Sequence, residues 1–151
     1  MNSKKIGKLG ENIALIYLQN KRYKILDRNY FFKIPGSYIL GEIDIIAMKD
    51  DIISFIEVKT LVKKEEELFE FFPEDKVNFL KKRKIIRTAE NWLIKNKISL
   101  DSKWQIDIIA IEITDNFNSD NLVDKAYFKK ENIILDKEIK INHFKNVFSS
   151  D

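Results

Sequence analysis

Residues 41–60, GEIDIIAMKDDIISFIEVKT, constrain the fold more tightly than any other stretch of the chain. Two runs rich in Ile, Val and Phe flank Lys49-Asp50-Asp51, the pattern of two strands joined by a tight turn. Residues 38–48 and 52–59 are therefore expected to pair antiparallel. A turn centred between Asp50 and Asp51 pairs Lys49 with Ile52, Ala47 with Ser54, Asp44 with Glu57 and Glu42 with Lys59. Strict alternation then sends Glu42, Asp44, Glu57 and Lys59 out of one face. Ile43, Ile45, Ile46, Ile53, Phe55, Ile56 and Val58 leave neither face plainly wet. The charges thus sit inside a core element, where they are costly unless something compensates them.

Two carboxylates facing each other at roughly 5 Å repel. They need a cation beside them, or one must hold a proton. Their hard oxygens suit Mg²⁺ or Mn²⁺. The plainer alternative is a solvated charged face, since Glu-x-Lys recurs at Glu74-Asp75-Lys76 and Glu138-Ile139-Lys140. Neither copy has a facing acid on a recognisable partner strand. With no cysteine and one histidine, disulfides, thiolate centres and paired-imidazole sites are excluded.

A chain of 151 residues, 44% hydrophobic, is enough for a single domain over 1–151 and too short for two of ordinary size. Leu9, Ile13, Ile16 and Tyr17 give residues 4–21 a helical period. A strand over 23–32 and a turn at Pro35-Gly36-Ser37 precede the hairpin. The run Lys63-Lys64-Glu65-Glu66-Glu67 reads as a solvated loop, and Pro73 as the first turn of a helix reaching about Asn96. WQIDIIAIEIT makes 103–114 a strand, and shorter β-like runs follow at 126–128, 133–135 and 139–148. The order helix–three strands–helix–strand implies an α/β fold, a mixed central sheet flanked by helices, with core 4–114 and a β-rich C-terminal extension 115–151. Scattered charges at the start and no long apolar run argue against a signal peptide or membrane span, so a cytoplasmic home is expected. At a net charge of +3, affinity for nucleic acid would have to come from clustered Lys and Arg.

Asp44 followed by Glu57-Val58-Lys59 resembles the Asp…(Asp/Glu)-x-Lys signature of the restriction-endonuclease-like nuclease superfamily, whose core has this element order. The likeness extends to the YraN-like family of predicted endonucleases, related to archaeal Holliday-junction resolvases. It is carried by Gly7-Lys8-Leu9-Gly10-Glu11 with Ala14, Arg28-Asn29, Gly41-Glu42-Ile43-Asp44 and Phe55-Ile56-Glu57-Val58-Lys59. Pro73-Glu74 through Val77, Lys81, Arg87 to Ala89, Ile106-Asp107 and Ala110-Ile111 continue it. The chain departs from the family pattern at Thr60-Leu61, at Gln105 and at Phe71-Phe72-Pro73, and its tail is longer.

The resemblance implies metal-dependent phosphodiester hydrolysis on nucleic acid, DNA before RNA, including branched DNA. Asp44, Glu57 and Lys59 are then the catalytic set. Asp44, Glu57, the Val58 carbonyl and Glu11 would hold Mg²⁺ or Mn²⁺. Glu11 shares a helical stripe with Gly7, Ala14 and Leu18, although first-turn compensation of the helix dipole is its plainer role. Lys81, Arg87 and Arg28 would grip phosphates, although a lysine at such a border often only snorkels. Glu42 and Asp107 are supporting residues, with a structural hydrogen bond the alternative for Asp107; no chemistry is assigned to His143. The assembly is left open to a homodimer. The rival readings are a non-catalytic nucleic-acid-binding module and a structural or partner-recruiting domain.

Overall fold

Helix α1, Ser3–Asn20, starts where Asn2 adopts an extended conformation and its side chain accepts from the Lys5 N–H at 2.9 Å. Gly10, Ile13, Ala14, Leu15 and Leu18 form its buried stripe. It ends at Arg22, whose φ of 67° lets the Tyr23 N–H turn back to the Leu18 carbonyl. The computed structural model describes residues 2–33, 35–36, 39–63, 79–115, 117 and 139–148, apart from the side chains of 39–40 and 79–81. The Lys64–Glu67 charges, Pro73, the Glu74-Asp75-Lys76 triplet and the runs at 126–128 and 133–135 lie outside the described residues.

Strands β1 (Lys24–Lys33), β2 (Ile39–Lys49) and β3 (Ile52–Lys63) follow α1, then helix α2 (Phe79–Lys95), β4 (Trp104–Thr114) and β5 (Ile139–Phe144). They form one five-stranded sheet in the order β1-β2-β3-β4-β5. β3 and β4 run parallel, and every other neighbouring pair is antiparallel. The β2–β3 turn places Asp50 and Asp51 at φ of 52° and 62°, the two positive values a primed hairpin turn needs. α1 covers one face, against Ile45, Ala47, Ile56, Ile109, Ile111 and Ile113. α2 covers the other, setting Ile85, Ala89, Trp92 and Leu93 against Ile43, Ile46, Phe55 and Ile106. The mixed sheet flanked by helices matches the sequence expectation. No helix among the described residues is long and apolar enough to cross a membrane.

Two elements differ from expectation. β3 runs on to Lys63 because β4 pairs with it along its whole length, ending at Lys63–Thr114. The run 139–148 is a strand followed by a turn, not one strand. At Asn146, φ is 52°, and the Val147 N–H donates to the Ile106 carbonyl at 2.9 Å, returning the chain across β4.

The hairpin register is the expected one from Lys49–Ile52 to Ile45–Ile56, and there the ladder stops. Asp44–Glu57 and Glu42–Lys59 are not ladder pairs. β2 stays with β1 while β3 stays with β4, so the sheet forks beyond Ile45 and Ile56. Alternation also breaks there. Ile43 packs under α2 and Ile45 under α1, so Asp44 is where β2 changes phase. β1 does the same opposite it: Arg28 reaches Asn12 of α1, whereas Tyr30 donates to Asn91 of α2. The residue between them, Asn29, has φ of 50°, a left-handed conformation that Asn tolerates better than most.

Candidate metal centre at the fork of the sheet

Where a regular ladder would set a β2 carbonyl, the Asp44 carboxylate takes its place: Oδ2 accepts from the Val58 N–H at 2.7 Å. The side chain bridges the fork at its root. Around it opens a cleft of about 430 Å³, lined by Ser3, Ile6, Gly7 and Glu11 of α1, by Asp44, and by residues 57–62 of β3. Val58 packs against the α1 cluster, and Thr60 lies under Gly10 of α1. Glu57 and Lys59 are out of phase with them, on the face where Leu61 packs with Ile108 and Ala110. They reach the cleft across the open edge of β3. The four charges therefore do not leave one face of a hairpin, as alternation alone predicts; Asp44, Glu57 and Lys59 meet at the cleft, and Glu42 stays exposed outside its lining.

α1 docks closely enough to deliver Glu11 because Gly10 has no side chain. A Cβ there would stand 1.7 Å from Thr60 Oγ1. Thr60 is thus part of the helix seat. Glu11 lies in the third turn of α1, and the first turn holds no acidic residue, so dipole compensation is not its role.

The electrostatics are those of crowded acids. Burial raises the Asp44 carboxyl to about 6, Glu11, Glu57 and Glu42 push it the same way, and the Val58 N–H opposes them. Burial and Glu42 raise Glu11, whereas Arg28 and Lys8 draw it down. Lys59 Nζ lies 2.8 Å from Glu57 Oε1, with 27% and 15% of the two side chains exposed. Among the described residues, no three His, Cys, Asp or Glu side chains converge tightly enough to hold a metal by themselves. Asp44, Glu57 and the Val58 carbonyl offer hard oxygens of the kind Mg²⁺ takes, few enough that such an ion would keep much of its water, and Glu11 is within electrostatic reach of Asp44. Burial is the main cause of the Asp44 rise, and the neighbouring acids add to it.

The sequence matches the uncharacterised protein family UPF0102 over residues 10–111. The chain belongs to this family. A UPF0102 protein of Alkaliphilus oremlandii is 36% identical over 146 residues, covering 97% of this chain and 99% of its own length. One of Clostridium tetani is 41% identical over 122 residues, 80% of this chain and 90% of its own. One of Dictyoglomus thermophilum is 36% identical over 144 residues, 95% of this chain and all of its own. The long tail is therefore shared with some UPF0102 proteins.

The other residues singled out in the sequence fall into three places. Glu42 is exposed, and its charge acts on both Glu11 and Asp44. Arg28 and Arg87 are exposed, Arg28 on the α1 side and Arg87 on α2 across the sheet; the Lys81 side chain lies outside the described residues. Asp107 is fully buried and serves a different cluster. It accepts from Gln105 Nε2 at 2.9 Å, from the Asn146 N–H at 2.9 Å and from His143 Nε2 at 2.8 Å. Because a carboxylate only accepts, Nε2 carries the proton of that pair, and His143 Nδ1 meets the Tyr17 hydroxyl at 3.3 Å. His143, which sequence reasoning passed over, ties β5 to β4 and α1. No spacing signal could have revealed it, since 126 residues separate it from Tyr17 and 36 from Asp107.

Proposed function

We propose that the forked cleft is the active site of a metal-dependent phosphodiesterase acting on DNA, built on a restriction-endonuclease-like core. The observation that carries this reading is that Asp44, Glu57 and Glu11 line one cleft together with Lys59 where the β2–β3 ladder ends. Asp44, Glu57 and the Val58 carbonyl would hold Mg²⁺ or Mn²⁺, with Glu11 joining directly or through water. Bound there, the ion supplies Lewis acidity toward a phosphate and a lowered pKa for bound water.

The chain's own residues do the rest. The Val58 N–H holds the Asp44 carboxylate in orientation by donating to Oδ2, and Oδ1 would then be the oxygen offered to the ion. Lys59, part-exposed at the cleft edge, offers its ammonium to the charge that grows on the phosphate as the bond to the leaving oxygen breaks. Its contact with Glu57 holds that ammonium beside the acids until a phosphate competes for it. The non-catalytic rival, a nucleic-acid-binding module, draws on the same contact, because a Glu57 that stays with Lys59 is a poorer metal ligand.

Incubation of the protein with supercoiled, linear and four-way-junction DNA in Mg²⁺, Mn²⁺ or EDTA separates the two. Cleavage that needs the metal and disappears in Asp44→Asn is expected. Binding without cleavage under every metal would leave the binding module as the better account.

A further inference from the structure

Phe31 is 54% exposed, while the other aromatic rings of the sheet are at least partly buried. In register it stands directly across from Glu42. Tyr30 packs under α2, so alternation turns Phe31 to the α1 face, the side on which Glu42 acts on Glu11. An exposed phenyl opposite a carboxylate gains nothing from its cross-strand partner, and its burial contributes little to the fold.

The cations nearby are equally hard to explain by folding. Lys4, Lys5 and Lys8 stand exposed in the first two turns of α1, where positive charge opposes the helix dipole. Lys4 and Lys8 share one stripe, a turn apart, along the cleft-lining Ser3, Gly7 and Glu11. Lys8 stands one turn before Asn12 on that stripe. Arg28, also exposed, lies on the same side through its contact with Asn12 at 3.5 Å. No described residue of α2 lines the cleft, and Arg87 lies on α2, across the sheet from α1.

We propose that Phe31 with Lys4, Lys8 and Arg28 forms a platform that takes a single-stranded nucleic acid segment to the cleft, the ring stacking on a base and the cations holding the phosphates. An exposed ring beside a basic rim is the combination that unpaired strands use, because stacking needs a base free of its partner. Duplex backbone alone would use the cations and leave the ring idle. This substrate preference rests on the phosphodiesterase reading of the same cleft.

The test is binding of a fluorescent 20-nucleotide single strand and the matching duplex in EDTA, so that cleavage does not enter. The wild type is expected to prefer the single strand. Phe31→Ala should weaken single-strand binding roughly tenfold or more and duplex binding hardly at all, and Phe31→Trp should restore it. Lys4→Gln, Lys8→Gln and Arg28→Gln together should flatten the salt slope by about 2, at about 0.7 per charge on a single strand. Lys97→Gln with Lys103→Gln, two exposed cations away from the cleft, should change neither. Single-strand affinity unchanged in Phe31→Ala overturns the platform; if that protein still cuts DNA with metal, the phosphodiesterase reading stands. A wild type that binds neither DNA overturns the platform, and one that also cuts no DNA with either metal overturns both. Because Phe31 is exposed, its variants should melt within a few degrees of the wild type.

Discussion

Asp44 sets the pH behaviour of the cleft. Its carboxyl lies above the ordinary value of 3.8, at about 6, so the folded protein holds that proton more tightly than the unfolded chain. The group's contribution to stability is therefore whole below about 4 and is lost as pH rises through about 6, a change of about 3 kcal/mol. Asp44→Asn should raise the metal-free melting temperature at pH 7.5 and remove this decline. A protonated carboxyl cannot ligate, so the melting-temperature rise given by millimolar Mg²⁺ or Mn²⁺ should be present at pH 8 and fade below about 6. Thermal scans with metal or EDTA at pH 5 and pH 8 check this, and an equal rise at both would remove Asp44 from the ligand set. Lys59 is a question of charge against volume. Lys59→Met keeps most of the stem that packs at the cleft edge, and Lys59→Ala keeps neither stem nor charge. Both should cut single-turnover cleavage by orders of magnitude while DNA affinity stays within a few-fold, since the ammonium acts on charge that appears only in the transition state. A parallel loss of affinity would make Lys59 a general phosphate grip.

Among the elements, α1 decides whether the cleft exists. Its seat on β3 is the Gly10–Thr60 contact, and α2 has a similar seat where a Cβ on Gly41 would stand 2.1 Å from Thr88 Oγ1. Gly10→Ala cannot be absorbed without moving the helix off the strand, and should cost about 1–3 kcal/mol in urea denaturation. Adding Thr60→Ala removes Oγ1 and Cγ2, and should return part of that loss as a coupling between the two sites. Gly7 supplies the contrast. Nothing lies within 4 Å of a Cβ there, so Gly7→Ala should be neutral or stabilise by up to about 1 kcal/mol. Equal losses at positions 7 and 10 would mean that helix propensity, not close approach, governs α1.

Across the whole molecule, the C-terminal segment joins the two faces of the sheet. Ile139 and Ile141 pack under α1, and Phe144, Val147 and Phe148 pack on the other side, where Lys82 lies over the Phe148 ring. At the crossing, the Tyr17–His143–Asp107 chain holds β5 to β4 and α1, with 4% of the His143 side chain and none of Asp107 exposed. Removing the imidazole strands a buried carboxylate oxygen. His143→Ala should therefore cost about 2–4 kcal/mol by denaturation, far more than its size suggests. His143→Gln, which can still donate to Asp107, should cost clearly less. A loss below 1 kcal/mol for the alanine variant would show that water replaces the imidazole.

Local physics made much of this protein legible in its sequence. Period-two runs around Asp50-Asp51 fix the hairpin and its register as far as Ile45–Ile56, and period 3.6 in Leu9, Ile13, Ile16 and Tyr17 fixes α1. Which acids are set among apolar residues could also be read directly. Where the strands part could not. Alternation says which side chains share a face only while a strand stays regular, and Asn29 and Asp44 change phase opposite each other. That change, the close seat of Gly10 on Thr60 and the Glu57–Lys59 phase along β4 together turn a charged hairpin face into a cleft through the sheet. The reach of His143 to Asp107 is likewise a contact between distant strands. Such contacts depend on how helices and sheet pack in three dimensions, and no local period records them.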